Sequence, residues 1–267
     1  MRPEAVSRLM AAQSARKTQV RSQVLARVQD LVSEFSAWYD TAAITALTER
    51  IVSLVEPGQA QTARITDAYL SQLAREMVGM PVDPTGIVDV AALRQGITHQ
   101  GVYGRLADQY RYMASQGTPE AQIIAALINR AHTLVVTDLQ LANTHQSRTW
   151  MTARNWDRWR RVIRPESSRT GVCGLCLVAS DRVYTYPDLL PIHDRCNCDV
   201  ILIAAGADPG RFLNNEDLDR IYAVSGSTYA EDLLSTNWRV DEHGEIGPVL
   251  VNPDHNHRGP DDLPSAA

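Results

Sequence analysis

The chain has 267 residues, of which 44% are hydrophobic and 21% charged, and a formal net charge of −5. That length allows one large domain or two ordinary ones, each with its own core, so no metal or disulfide is required merely to reach stability. The charge balance excludes a general polyanion binder, and no run of about 18 apolar residues is present to span a bilayer as a helix.

The leading stretch Met1-Arg-Pro-Glu-Ala-Val-Ser-Arg lacks the apolar core of a signal peptide and reads as a helix start, which predicts a chain used in the cytoplasm or in an assembly built there. Val20, Val24, Val28, Leu31, Val32, Phe35 and Trp38 recur at three- and four-residue steps. Ile44, Leu47, Ile51, Leu54 and Val55 continue that pattern after a break at Asp40, so two helices are expected, the second capped by Asp40. Pro57-Gly58 predicts a stop, since proline interrupts helix hydrogen bonding and glycine suits a left-handed cap. A third helix carrying Ile65, Tyr69, Leu73 and Met77 should end at Gly79-Met-Pro81. A short helix over Val88–Leu93 and a longer one over Gly101–Gln116 follow.

Thr118-Pro119-Glu120 reads as another helix start, with threonine as cap, proline at the first helical position and glutamate facing the positive end of the dipole. The apolar stripe Ile123, Ile124, Leu127, Ile128, Ala131, Leu134, Val135 and Leu139 extends this helix to Trp150 or beyond. The first 160 or so residues are thus expected to be all-helical. Composition changes beyond Pro165. Val183-Tyr-Thr-Tyr186 and Val200-Ile-Leu-Ile203 are β-prone runs, and Ile246–Val251 predicts an edge strand because Pro248 interrupts it. Helices are expected after Asn214, through Leu218, Ile221 and Tyr222, and over Tyr229–Leu234, ahead of a poorly ordered tail from Asn252. The fold class is therefore α+β: a long helical region over 1–161, a small α+β domain over 162–251 and a flexible acidic tail over 252–267.

All four cysteines fall in one region, as Cys173-Gly-Leu-Cys176 followed by His193-Asp-Arg-Cys196-Asn-Cys198. Two thiols at i and i+3 on a tight turn can face one ion, and a second arm carrying histidine and two thiols completes the two-knuckle layout of structural zinc sites. Five candidate ligands compete for four tetrahedral positions: Cys173, Cys176 and His193, with one of Cys196 or Cys198. Two disulfides, or packed thiols without metal, are the alternatives. A catalytic zinc would favour histidines and a carboxylate around an open position, so the expected role is structural.

The run Val162-Ile-Arg-Pro, then Cys173-Gly-Leu-Cys176-Leu-Val-Ala-Ser180, Val183-Tyr184 and Ile192-His193-Asp-Arg-Cys196-Asn-Cys198-Asp-Val-Ile resembles the core motif of the MuF-like minor head proteins of tailed bacteriophages. The likeness covers Val162 to Ile203, a small part of the chain, and departs from the family's pattern in placing Ile192 directly before the histidine. It implies a structural virion component inside the capsid at the portal vertex, acting in head assembly and in DNA packaging or ejection. Its implied partners are the portal protein, the major capsid or scaffold protein and packaged double-stranded DNA. It carries over a metal-binding role for Cys173, Cys176, His193, Cys196 and Cys198 and no other residue. Some relatives are labelled capsid maturation proteases, but no protease motif is legible in this chain.

Trp150, Trp156 and Trp159 are interleaved with Arg148, Arg154, Arg158, Arg160, Arg161 and Arg164. On a helix, Trp156, Trp159 and Ile163 would share one face, with Arg154, Arg158 and Arg161 on another. Trp150, Arg154, Trp156, Arg158, Trp159 and Arg161 form a candidate docking surface, because tryptophan and arginine dominate interface hot spots. The arginines also suit phosphates. The plainer reading packs the tryptophans on the C-terminal domain and solvates the arginines. The first helix is basic as well, with Arg2, Arg8, Arg16, Lys17, Arg21 and Arg27 against Glu4, and Lys17 is the only lysine. His99, His132 and His145 have no nucleophile or carboxylate near them in sequence, and His243, His255 and His257 read as solvated. Enzymatic readings, a capsid maturation protease or a zinc-dependent hydrolase or nuclease, thus stand as alternatives without a motif, as does a nucleic-acid-binding module.

Overall fold

The structure, a computed structural model, describes residues 3–94, 96–162, 180, 183–185, 198–204, 206, 208–210, 239–243 and 247–251. Its helices are α1 (Pro3–Ser33), α2 (Thr41–Val78), α3 (His99–Ser115) and α4 (Glu120–Ala153). Its strands are β1 (Arg158–Val162), β2 (Val183–Thr185), β3 (Asp199–Leu202), β4 (Arg239–His243) and β5 (Gly247–Val251). The chain is α+β, mostly helical with small antiparallel sheets. Among the described residues no helix is long and apolar enough to cross a membrane.

α2 starts where the sequence places it, whereas α1 ends at Ser33, short of the Phe35 and Trp38 that the expected helix includes. Asp40 sits in extended backbone and its carboxylate accepts from the amides of Ala42 and Ala43, at 2.8 and 3.2 Å, which satisfies donors that a helix start leaves open. The expected stop at Pro57-Gly58 does not occur, and α2 runs through both residues to Val78. A proline inside a helix costs roughly 3 kcal/mol, and burial on either side of it offsets that cost. Ile51, Val55, Ala63 and Leu70 are fully enclosed. Gly58 serves close approach rather than termination: a Cβ there would lie 2.8 Å from Val24 Cγ2 and 3.3 Å from Leu139 Cδ2. The true end is Gly79, whose φ of 72° lets its amide reach the Arg75 carbonyl at 2.9 Å.

Between α2 and α3 the helix expected over Val88–Leu93 shrinks to one 3₁₀ turn, Val90–Ala92, capped by Asp89. Thr98 caps α3 through its hydroxyl, which accepts from the Gly101 amide at 3.1 Å. At the start of α4 the assignment shifts by one residue. Pro119, with ψ of 138°, occupies the cap position and makes no side-chain cap bond, while the Thr118 amide donates to the Met113 carbonyl at 3.1 Å. Glu120 lies in the first turn, as expected.

The largest departure follows α4. Its helix ends at Ala153, Asn155 takes a left-handed φ of 50°, and the Trp156 amide closes back on the Met151 carbonyl at 2.9 Å. The chain then turns into β1, so the expectation of an all-helical chain to residue 161 is corrected, and the expected boundary at 161/162 falls inside a strand. β1 is the central strand of an antiparallel sheet in the order β2-β1-β3, with Trp159 opposite both Tyr184 and Leu202. β2 and β3 coincide within a residue or two with the β-prone runs. β5 pairs with β4, which the sequence reading missed, and Pro248 stands opposite Glu242 in a two-stranded sheet where every strand is an edge. The helices expected over 214–222 and 229–234 and the tail from 252 lie outside the described residues.

Two cores result. One joins all four helices around Val24, Val28, Trp38, Ile51, Leu106 and Leu127. The other packs the sheet onto the bundle, with Met10 of α1, Leu70 of α2 and Trp150 of α4 against Trp159, Ile201 and Leu202.

Candidate functional site

The strand β3 is held at its start by one polar side chain from each of three helices. Gln140 of α4 donates to the Cys198 carbonyl at 3.1 Å, Tyr69 of α2 donates to the Val200 carbonyl at 3.2 Å, and Lys17 of α1 is ion-paired with Asp199. Cys198 itself is buried, with 4% of its surface exposed. Cys173, Cys176, His193 and Cys196 lie outside the described residues. Among the described residues no three His, Cys, Asp or Glu side chains gather closely enough to hold a metal.

The tryptophan and arginine segment does not form the surface expected of it. Trp150 and Trp159 are completely buried in the chain's own core, and Trp156 is partly buried. Each indole N–H has an internal acceptor: Ser71 Oγ for Trp150 at 2.9 Å, the Ile203 carbonyl for Trp156 at 3.0 Å and the Thr185 carbonyl for Trp159 at 3.0 Å. Arg161 is buried and its guanidinium stacks 5.1 Å from the Trp159 ring and 5.6 Å from the Tyr184 ring. Arg160, also buried, grips Asp208 through Nε and Nη2 at 3.1 and 2.5 Å and donates to the Ser180 carbonyl at 3.1 Å. Arg154 and Arg158 are exposed, and Arg154 reaches back to the Asp83 carbonyl at 2.5 Å. The reason is the strand. Alternation, not helical spacing, sets where these side chains go, and both faces are covered: Trp159 packs with Met10, Leu70 and Trp150 of the helices, and Arg160 is held by Asp208 and Ser180. Arg164 lies outside the described residues.

A polar network that the sequence reading missed is centred on Asp138, whose carboxylate has no exposed surface. Arg94 donates to Oδ1 at 2.7 Å and Tyr103 to Oδ2 at 2.8 Å, while Gln59 donates to the Asp138 carbonyl at 3.0 Å. His99, read as isolated from its sequence neighbours, places Nδ1 3.0 Å from Glu56 and Nε2 3.8 Å from Asp138. Burial, and then the Asp138 charge, push the Tyr103 hydroxyl well above its ordinary pKa, so it stays a donor. These contacts join α2, α3, α4 and the loop before α3, which makes the network a strut. The one available signal was Asp138 itself, an acid inside the apolar stripe between Val135 and Leu139.

A second group lies between α1, α2, α4 and β3. Lys17, Arg21, Thr62, Gln140, Asn143 and Asp199 line a small cavity of about 50 Å³. Lys17 Nζ is 3.2 Å from Asn143 Oδ1 and in contact with Asp199 Oδ1. Burial lowers the pKa of the neighbouring Arg21. Comparison with protein-family models, with curated proteins and with solved structures gives no match for this chain.

Proposed function

We propose that this chain is a structural minor head protein of a tailed bacteriophage, acting in head assembly at the portal vertex, with its Cys/His arms joined by a structural zinc. What supports the reading is how the segment bearing the motif begins and ends. Val162, the last residue of β1, is the register partner of Asp199, the first of β3, so the two ends of the segment 163–198 lie side by side. Midway, β2 brings the chain back to pair with β1. In sequence the CxxC lies in the connection between β1 and β2 and the HxxCxC in the connection between β2 and β3, so a single crosslink between them would close both.

Thiolates and imidazole are the donors that zinc prefers in such closed sites. Cys173, Cys176 and His193, with Cys196 or the buried Cys198, would hold it, and the ion would supply a crosslink rather than a reactive water. The bundle would then present its outer faces to the portal, including the exposed Tyr39 and Tyr112. Metal analysis of protein purified under reducing conditions should find about one zinc per chain, and the double substitution of Cys173 and Cys176 by serine should unfold the C-terminal part because metal binding there is folding energy. Trace zinc only would overturn the metal assignment. Co-expression with portal and coat proteins should yield a complex with the portal and full-length coat protein. Coat protein cut in the presence of this chain would favour the protease reading instead.

A further inference from the structure

Lys17 is the chain's only lysine, and it sits against an amide and a carboxylate that are almost completely buried. Asn143 and Asp199 are each 2% exposed, and among the described residues Asp199 is the one carboxylate lining the cavity they share. Lys17 can only donate, which fixes the Asn143 oxygen, not the nitrogen, toward it at 3.2 Å. The Thr66 hydroxyl lies 2.8 Å from the same oxygen, within reach also of the Thr62 carbonyl. Asn143 Nδ2 is buried and has no hydrogen-bond partner among the described residues. An amine, an amide carbon one bond from its contact atom, a carboxylate touching the amine and an unheld leaving nitrogen make up the parts of an acyl transfer.

We propose that Lys17 and Asn143 form an intramolecular isopeptide bond with loss of ammonia, Asp199 carrying the protons. Asp199 takes one proton from the Lys17 ammonium, and the freed lone pair attacks Asn143 Cγ, forming the C–N bond. The charge that develops on Oδ1 is met by the Thr66 hydroxyl. Asp199 returns its proton to Nδ2 as the Cγ–Nδ2 bond breaks, then accepts the surplus proton of the attacking nitrogen and releases it to the departing ammonia as ammonium. Nothing is oxidised or reduced, and the products are a secondary amide, ammonium and the regenerated carboxylate. Condensation of Lys17 with Asp199 itself, losing water, would need a second acid to serve as proton carrier, and among the described residues the cavity lining holds none. The bond would tie α1 to α4 across 126 positions of sequence and leave both beside β3.

Intact mass spectrometry of the full-length protein, with peptide mapping after trypsin, tests this. The expected result is a chain one ammonia lighter than its sequence, no cleavage after Lys17, and a branched peptide joining Lys17 to Asn143. Lys17→Arg and Asp199→Asn should each restore the full sequence mass. An unmodified wild-type mass overturns the proposal. So does ammonia loss that persists in Lys17→Arg, since cyclisation of Asn143 on its own backbone would do that, or a loss of water mapped to Lys17 and Asp199.

Discussion

Up to Val135 the most deeply buried positions of α4 are Ile123, Leu127, Ala131 and Val135, all apolar, whereas from Thr137 onward the buried face includes Thr137, Asp138, Asn143, Thr144, Gln146 and Ser147. The first half meets other helices, whose backbone groups are already satisfied. The second half meets chain that lacks a helix's own hydrogen bonds. Gln146 accepts from the Val88 amide at 3.0 Å and donates to the Gly86 carbonyl at 2.7 Å, and Gln140 serves Cys198 in the same way. Across from it on α2, Asp67 receives the Thr85 amide and hydroxyl, at 3.1 and 2.7 Å. Gln140, Gln146 and Asp67 therefore mark where loops and strands dock on the bundle, answering backbone groups that would otherwise be buried unpaired, whereas Asp138 and Asn143 answer polar side chains.

Two swaps of nearly constant volume on this one helix should separate the halves most widely. Asp138→Asn removes the charge that answers Arg94 deep in the bundle and should cost about 3–5 kcal/mol, the usual penalty for breaking a buried ion pair from one side. Leu127→Met keeps an apolar side chain of similar size and should cost less than about 1.5 kcal/mol. Chemical denaturation of both variants checks this, and similar losses would remove the distinction. At the border between the halves, Gly58→Ala pushes a methyl against Val24 and Leu139. Overpacking of that kind costs about 1–3 kcal/mol, partly offset by alanine's gain of up to about 1 kcal/mol in helix propensity. A net loss of stability is expected. A gain would mean that α1 and α4 can move apart at this point.

What the sequence made legible were the local signals. Asp40 as a cap, the stripe of α4 and the runs that became β2 and β3 all depend on near neighbours in the chain. The stop expected at Pro57-Gly58 fails because partners remote in sequence bury Ile51, Val55, Ala63 and Leu70 on either side of it and bring Val24 and Leu139 close to Gly58, and that packing outweighs a local helix breaker. The segment after Trp150 was misread because Trp156, Trp159 and Ile163 fit a helical period while Trp159 and Arg161 also fit an alternating one. Only pairing with β2 and β3 decides between them. In the candidate site the cysteine arms were visible as composition. Lys17, Asn143 and Asp199 were not grouped, since the lysine's two partners stand 126 and 182 positions away.

The smallest effect expected concerns His145, on the polar half of α4. Burial, and secondarily the Arg148 charge one turn on, lower its pKa from the ordinary 6.5. The folded protein therefore holds His145 neutral in a pH range where the unfolded chain has already taken up a proton. Unfolding is favoured wherever the unfolded state binds more protons, so this contribution to stability is fully present above about pH 6.5 and is lost progressively as pH falls toward the lowered folded value. His145→Gln keeps a polar side chain without that titration. Denaturation midpoints measured across pH 8 to about 5 should decline less steeply in the variant than in the wild type, with the two curves parallel on the alkaline side. Curves that stay parallel throughout would show that His145 keeps its solvent access, and that the polar half of α4 is wetter at this turn than at Asp138.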